Sequence, residues 1–516
     1  MALLGAQLVM TLIMVSVIQK FSPHYSLAKW ILCSTGLIRY LHPTDNELKT
    51  LAGVPKSIYK NKKDHRHKHS NANDDKSNTF HVPRNLDIQL EVTKVTPFDV
   101  VNLRYYTEYQ WLVDFSLYAS IIYVISEIYH FYIPLKEEVN LSMLWCLLVV
   151  FFAFKLLISL TIQYFKSEES IGERSTCIVT GLVYLLIAMI VLIVDENTLE
   201  VGLEQAYKSF NESASEYLEE RGVSSSGPAS KIIVKFCIAV SCGLLGAIFT
   251  FPGLRMARMH WDSLKYCREN RFMQFLLNIS FVLPFILVIL WIRPISREYL
   301  TNRVYSGMER PLLSPEAFNI IRLLLIVIAV MLRLALMPIY LQAYLNLAYD
   351  RLEEQKKEAG RITNVDLQKK IASIFYYLCV VTLQYVAPIL MCLYFALMYK
   401  TLGGFNWTDI FIKPDTNDTI SATVNSLQHN IVEPIEVIIP TEPPIDEDDQ
   451  FESIETLDTT IFESAKELQS SFRGLKAVFT TDVYRGLFGF ATWWTCFVWF
   501  AASSLGMIYQ SYFSKV

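Results

Sequence analysis

IIRLLLIVIAVMLRLALMPIYL, residues 320–341, is almost unbroken hydrocarbon, yet it carries two arginines, Arg322 and Arg333. As a helix this stretch reaches ~33 Å, enough to cross the apolar core of a bilayer. A charge near the middle of a span costs ~2.5–3.5 kcal/mol on insertion scales. Two arginines in one span are therefore expected to face other helices, not lipid. They stand 11 residues apart, within ~20° of each other around a helix, so one face of the span carries both. A voltage sensor would need several arginines at every third position, and two at this spacing do not make one.

The rest of the chain places this span among others. The sequence has 516 residues, 52% hydrophobic and only 19% charged, where about a quarter charged is usual for soluble domains. The apolar residues gather into runs near the length of a membrane crossing. We read an all-α, polytopic transmembrane helix bundle of about nine spans, at 2–19, 111–133, 141–164, 175–194, 231–252, 273–292, 317–341, 371–399 and 484–510. The corresponding organisation is a first span or anchor (1–19), a basic segment (20–110), the main bundle (111–400), an acidic loop (401–482) and a last span with its tail (483–516).

Charge sets the orientation. Segment 20–110 has 14 Lys and Arg against 9 acids, and 254–271 has 5 against 2, whereas 195–229 has 8 acids against 2 bases and 401–482 has 16 against 4. Basic loops stay in the cytosol, so the N-terminus is expected outside and the C-terminus inside, in the endoplasmic reticulum or plasma membrane. Loop 293–316 is the one that does not fit this bias. The sequons at Asn211, Asn406 and Asn417 fall on the outer side, where glycosylation occurs; those at Asn140 and Asn278 lie too near or within the membrane. Residues 1–19 have no charge and resemble an anchor more than a cleaved signal, which normally carries a basic start and a small-residue cleavage site.

Outside the spans, 24–42 reads as an amphipathic interfacial helix and 254–272 as a basic helix lying on an anionic leaflet. Residues 198–221 form an amphipathic outer helix. Residues 343–370 read as a cytosolic helix, a turn at Gly360 and a capped run into span eight. Residues 404–457 have no core-forming pattern, and 458–480 regain helical period. His65, His67 and His69 alternate within the polar tract 57–80. They could collect a metal ion, but a solvated linker is the simpler reading. Most of the nine cysteines lie in apolar runs, where free Cys packs as a small hydrophobe, so no disulfide framework is expected.

The residues with most chemical interest are the intramembrane polar groups Asp114, Glu127, His130, Lys155, Arg322 and Arg333. Glu127 and His130 form a single Glu-x-x-His, and a di-iron site needs two; no metal site, cofactor or catalytic residue is assigned. Depth along each span suggests partners. Arg322 and Glu127 both lie ~8–9 Å below the outer surface, while Arg333, Lys155 and Asp114 lie ~21–28 Å down. The expected pairs are Glu127 with Arg322, and Asp114 with Lys155 or Arg333. Asp114 and Glu127 are ~140° out of phase, so one helix pair cannot easily make both. Such groups either brace the bundle or line a path. Span five also carries Ala239, Gly243 and Ala247, a small-xxx-small stripe for close helix packing. Pro252 is expected to end that span, and Pro284, Pro338 and Pro388 to interrupt three others.

Several stretches resemble the transmembrane protein 161 family: IQKFSPHYSLAKWILC (18–33), EYQWLVDF (108–115), FPGLRMARMHWDSL (251–264), LQAYLNLA (341–348), KKEAGRIT (356–363), FYYLCVVTLQYVAPIL (375–390) and RGLFGFATWW (485–494). The likeness covers nearly the whole chain and lapses in 57–80 and 404–465. It implies a role in damping potassium and calcium currents of excitable cells, cardiac rhythm, calcium handling, oxidative-stress resistance and restraint of apoptosis. It brings no established catalytic or transport residues. The expected function is a non-enzymatic membrane regulator, with the bilayer and ion channels or calcium-handling proteins as partners and no nucleic acid. The alternative is a transporter or channel with a polar path through spans two and seven.

Overall fold

The structure is a computed structural model. It describes residues 24–51, 81, 88–132, 140, 142–166, 171–220, 230–304, 311–357, 362–411 and 478–513, with isolated positions between 11 and 20. Most of the first expected span, the His65–His69 tract, Gly360, Asn417 and nearly all of 412–480 lie outside the described residues.

Among the described residues ten long helices form the bundle: α1 (Tyr106–Tyr132), α2 (Ser142–Lys166), α3 (Ile171–Ile193), α4 (Leu203–Glu220), α5 (Lys231–Tyr266), α6 (Arg271–Ile289), α7 (Pro315–Lys357), α8 (Asn364–Tyr376), α9 (Leu378–Leu402) and α10 (Thr481–Phe513). Among the described residues eight helical stretches are long and apolar enough to cross a membrane, with α8 and α9 forming one of them. The chain is an integral, multi-pass, all-α membrane protein. Successive crossings alternate in direction, giving the bundle a basic end (near Lys166, Tyr266 and Lys357) and an acidic end (near Ile193, α4 and Leu402).

Helix α9 is the axis. Its apolar residues cover every face, as expected of a helix enclosed on all sides, and nearly all of Leu378–Lys400 is buried. Helices α2, α7, α10 and α1 surround it. The α3 flank is the most open, exposing Ile178, Val179, Leu182, Leu186 and Ile190, an apolar surface suited to lipid. The small-residue stripe packs α5 on α3. A Cβ at Gly243 would stand 2.8 Å from Leu185 Cβ, and one at Gly181 would stand 3.0 Å from Ala247 Cβ. Thr180 and Thr250 hydroxyls meet at 2.8 Å across the same crossing.

Two expectations about helix ends are corrected. Pro252 lies buried inside α5 and does not end it, so the basic segment 254–266 continues the span as one helix. Likewise α7 runs unbroken from Pro315 through Pro338 to Lys357. Proline removes one intrahelical bond, and neighbouring helices in a bundle can satisfy the freed carbonyl. Thr363 caps α8, accepting from Asp366 N–H at 3.2 Å, and the chain kinks at Tyr377 before α9.

The expected helix over 24–42 is a short helical segment, Leu27–Ser34, followed by strand β1 (Ile38–Leu41). Strand β1 pairs antiparallel with β2 (Glu91–Lys94), Ile38 opposite Lys94. This ribbon sits at the basic end on α7. The Gln342 amide accepts from Ile38 N–H at 2.9 Å and donates to Ile38 C=O at 3.3 Å. Leu48, Leu90, Leu352, Leu367 and Ile371 form a second, smaller core beneath it.

Candidate functional site

Arg322 and Arg333 are both buried, each only 1% exposed, on the face of α7 that meets α9, α6 and α10. Their surroundings differ. The Arg322 guanidinium lies over the Trp291 ring, 3.8 Å from its centroid. Its Nη2 donates to Tyr399 Oη at 3.2 Å and to Asn319 Oδ1 at 3.1 Å. The acid beside it is Glu200, whose Oε2 stands 4.0 Å from Nη1. Glu200 also pairs with Arg297.

Glu200 reaches this depth because its loop folds back on the bundle. Glu200 N–H donates to Trp291 C=O at 3.0 Å and Arg293 N–H donates to Thr198 C=O at 3.0 Å, around a bridge between Leu199 and Ile292. These two bonds engage four backbone groups and tie the loop to the end of α6.

Glu127 does not meet Arg322. It pairs with Lys400 at the end of α9, and Thr401 Oγ1 donates to its other oxygen at 3.1 Å. Lys400 is 5% exposed and lies 5.4 Å from the Trp407 ring centroid. Glu127 and Arg322 meet neighbouring positions of the axis helix, Lys400 and Tyr399, but on different sides of it.

Asp114 pairs with neither Lys155 nor Arg333. Its Oδ2 accepts from Ser26 Oγ at 2.7 Å and its Oδ1 from Ala28 N–H at 3.0 Å. The carboxylate caps the start of the Leu27–Ser34 segment, where free backbone N–H groups favour negative charge. Lys155 lies on the exposed outer face of α2. His130 is half-buried on the last turn of α1, its ring edge-on to Tyr129.

Arg333 is held without an acid among the described ion pairs. Its Nε donates to Ser280 C=O at 3.2 Å, and its guanidinium lies 4.8 Å from the Trp499 ring centroid. Tyr385 Oη donates back to Arg333 C=O at 2.6 Å. His260, stacked on Phe281, shares a 3.0 Å hydrogen bond with Tyr340 nearby. Among the described residues no group of three or more His, Cys, Asp or Glu is placed to hold a metal ion.

The sequence reading missed Lys400, Glu200, Arg297 and Ser26. Lys400 stands one residue beyond the expected span 371–399, at the last position of the main-bundle segment 111–400. Glu200 looks like any solvated acid of 195–229. Asn211 lies half-buried within α4 and Asn406 is exposed at the acidic end.

A family model described as predicted transmembrane protein 161AB matches residues 2–514. No solved structure matches the chain. The match extends over all eight crossings, the axis helix and both arginines of α7, and this chain belongs to the transmembrane protein 161AB family.

Proposed function

We propose that this protein is a non-enzymatic regulator in the membrane, modulating ion-channel currents or calcium handling through contacts with other membrane proteins. One observation carries the choice over a transporter. The two acids within the apolar stretch of α1 are committed to separate bracing contacts, Asp114 to Ser26 and Ala28 and Glu127 to Lys400 and Thr401. Neither faces the arginines of α7, so the polar path that would join spans two and seven lacks its acidic half. The link to potassium and calcium currents rests on the family resemblance. Charge bias supports a cytosolic basic end and C-terminus.

The test is purified full-length protein in liposomes, assayed for Ca²⁺, K⁺ and Zn²⁺ movement, alongside voltage clamp of excitable cells depleted of it. The expected result is no flux above protein-free vesicles and enlarged currents in the depleted cells. Substrate-driven flux would replace the regulator with a transporter.

A further inference from the structure

At the basic end α2, α5, α8 and α10 diverge around a cavity of about 1840 Å³, larger than the ~300–1,000 Å³ usual for small-molecule sites. Gly253 packs on Ala502 and Gly506 packs on Leu254 and Ala257, so α10 crosses α5 closely beside the cavity.

The lining is graded. Arg104, Lys166, Arg255, Arg258, Arg351 and Lys370 contribute six bases, and no Asp or Glu lines the cavity among the described residues. Leu160, Phe251, Leu254 and Leu505 supply an apolar wall. On the helices that run toward the basic end the order is the same. Leu160 precedes Lys166 on α2, Phe251 and Leu254 precede Arg255 and Arg258 on α5, and Leu505 precedes Tyr509 and Tyr512 on α10. On α8–α9, which run the other way, Lys370 comes before Val380. Hydrocarbon thus lies toward the bundle middle and positive charge toward the end, the polarity of a phospholipid in that leaflet.

Described acids stand beside two of these bases without lining the cavity. Glu354 engages Arg351 at 3.1 Å on the exposed side, and Asp262 lies one turn beyond Arg258, outside the lining. Arg255 donates to Tyr164 Oη at 3.4 Å, and Gln384 Nε2 donates to the same oxygen at 3.1 Å, which fixes the floor of the cavity.

The geometry points to a binding site for an anionic phospholipid with a phosphorylated headgroup, its phosphates among Arg255, Arg258 and Lys370 and its chains along the Leu160–Phe251–Leu505 wall. Basic pockets between spans suit such headgroups because each Lys or Arg adds charge attraction while the chains stay in hydrocarbon. The assignment is independent of whether the protein regulates or transports.

The test uses full-length protein in phosphatidylcholine nanodiscs with phosphatidylinositol bisphosphate, phosphatidylserine or neither, and counts retained lipid by native mass spectrometry. The bisphosphate lipid should be retained roughly tenfold or more over phosphatidylcholine, and Arg255→Gln with Arg258→Gln should remove that preference. Lys208→Gln, at the acidic end, should leave it intact. If the double variant fails to fold, Lys166→Gln with Lys370→Gln decides, with a loss of preference again expected. Equal retention of all three lipids, or unchanged preference in the folded variant, overturns the site. Soluble inositol bisphosphate binding as tightly as the lipid would reassign it to a free phosphate.

Discussion

Arg333 Nε donates to the carbonyl of Ser280, the group whose helical partner Pro284 takes away. In an unbroken helix Ser280 C=O would accept from the N–H four residues on; proline has none. The buried arginine of α7 therefore repairs the backbone of α6. Arg333→Met and Pro284→Ala should be non-additive. Losing Arg333 should cost ~1–3 kcal/mol more in the native background than in the Pro284→Ala background, where the helix supplies its own donor. Thermal or denaturant unfolding of the four variants in one detergent measures the difference. Additive effects would refute the repair.

Glu127 and Lys400 form a pair that reversal should reconstitute. Breaking a buried pair by removing one partner typically costs ~3–5 kcal/mol. Glu127→Lys and Lys400→Glu should each lower the yield of folded protein, and the double reversal should recover most of it. Reversing Glu127 with Arg322 should recover nothing, since Arg322 is held by Trp291, Tyr399 and Glu200. Gel-filtration yield from matched membranes reads both comparisons.

Asp114 fastens the N-terminal segment to α1. With Asp114→Ala, Ser26 and the Ala28 N–H lose their acceptor, and leaving buried donors unpaired costs ~1–3 kcal/mol. Amide exchange over 26–34 should accelerate while exchange in α9 stays unchanged. Equal acceleration in both would mean the bundle as a whole had loosened.

The ribbon at the basic end should be acid-sensitive through Asp99. Partial burial raises its carboxyl pKa, but hydrogen bonds from Thr96 and the charge of Arg39, 2.9 Å away, outweigh that and hold it below the ordinary range. A depressed native pKa means the contribution is complete above the unfolded value of ~3.9 and fades as pH falls through the native one. Amide protection in β1 and β2, taken relative to the intrinsic exchange rate at each pH, should fall over that interval, and Asp99→Asn should abolish that pH dependence while leaving protection low throughout.

The crossings were legible because each is an apolar run of membrane length, and the Gly243 stripe because small residues four apart have little other use. Their ends were less legible. Residues 254–266 and 343–357 look like separate surface helices because their charge pattern changes where the membrane ends, yet the backbone has no reason to stop helical bonding there. Partners of buried charges were illegible for a different reason. Depth can be counted along one span, but adjacency depends on which helices touch. Glu127 and Arg322 match in counted depth but meet different sides of α9, and Glu200 arrives from a loop that hydrogen bonding at Trp291 draws inward.

The Gln342 clamp on Ile38 also sets a timetable. Ile38 and Gln342 are 304 positions apart. At ~5–20 residues per second of synthesis, strand β1 waits roughly 15–60 s for the amide that secures it. Through that interval six of the eight described crossings are made while the first-made ribbon has an open edge. A nascent chain arrested before α7 should therefore leave β1 open to a chaperone or a protease, and one arrested after it should not.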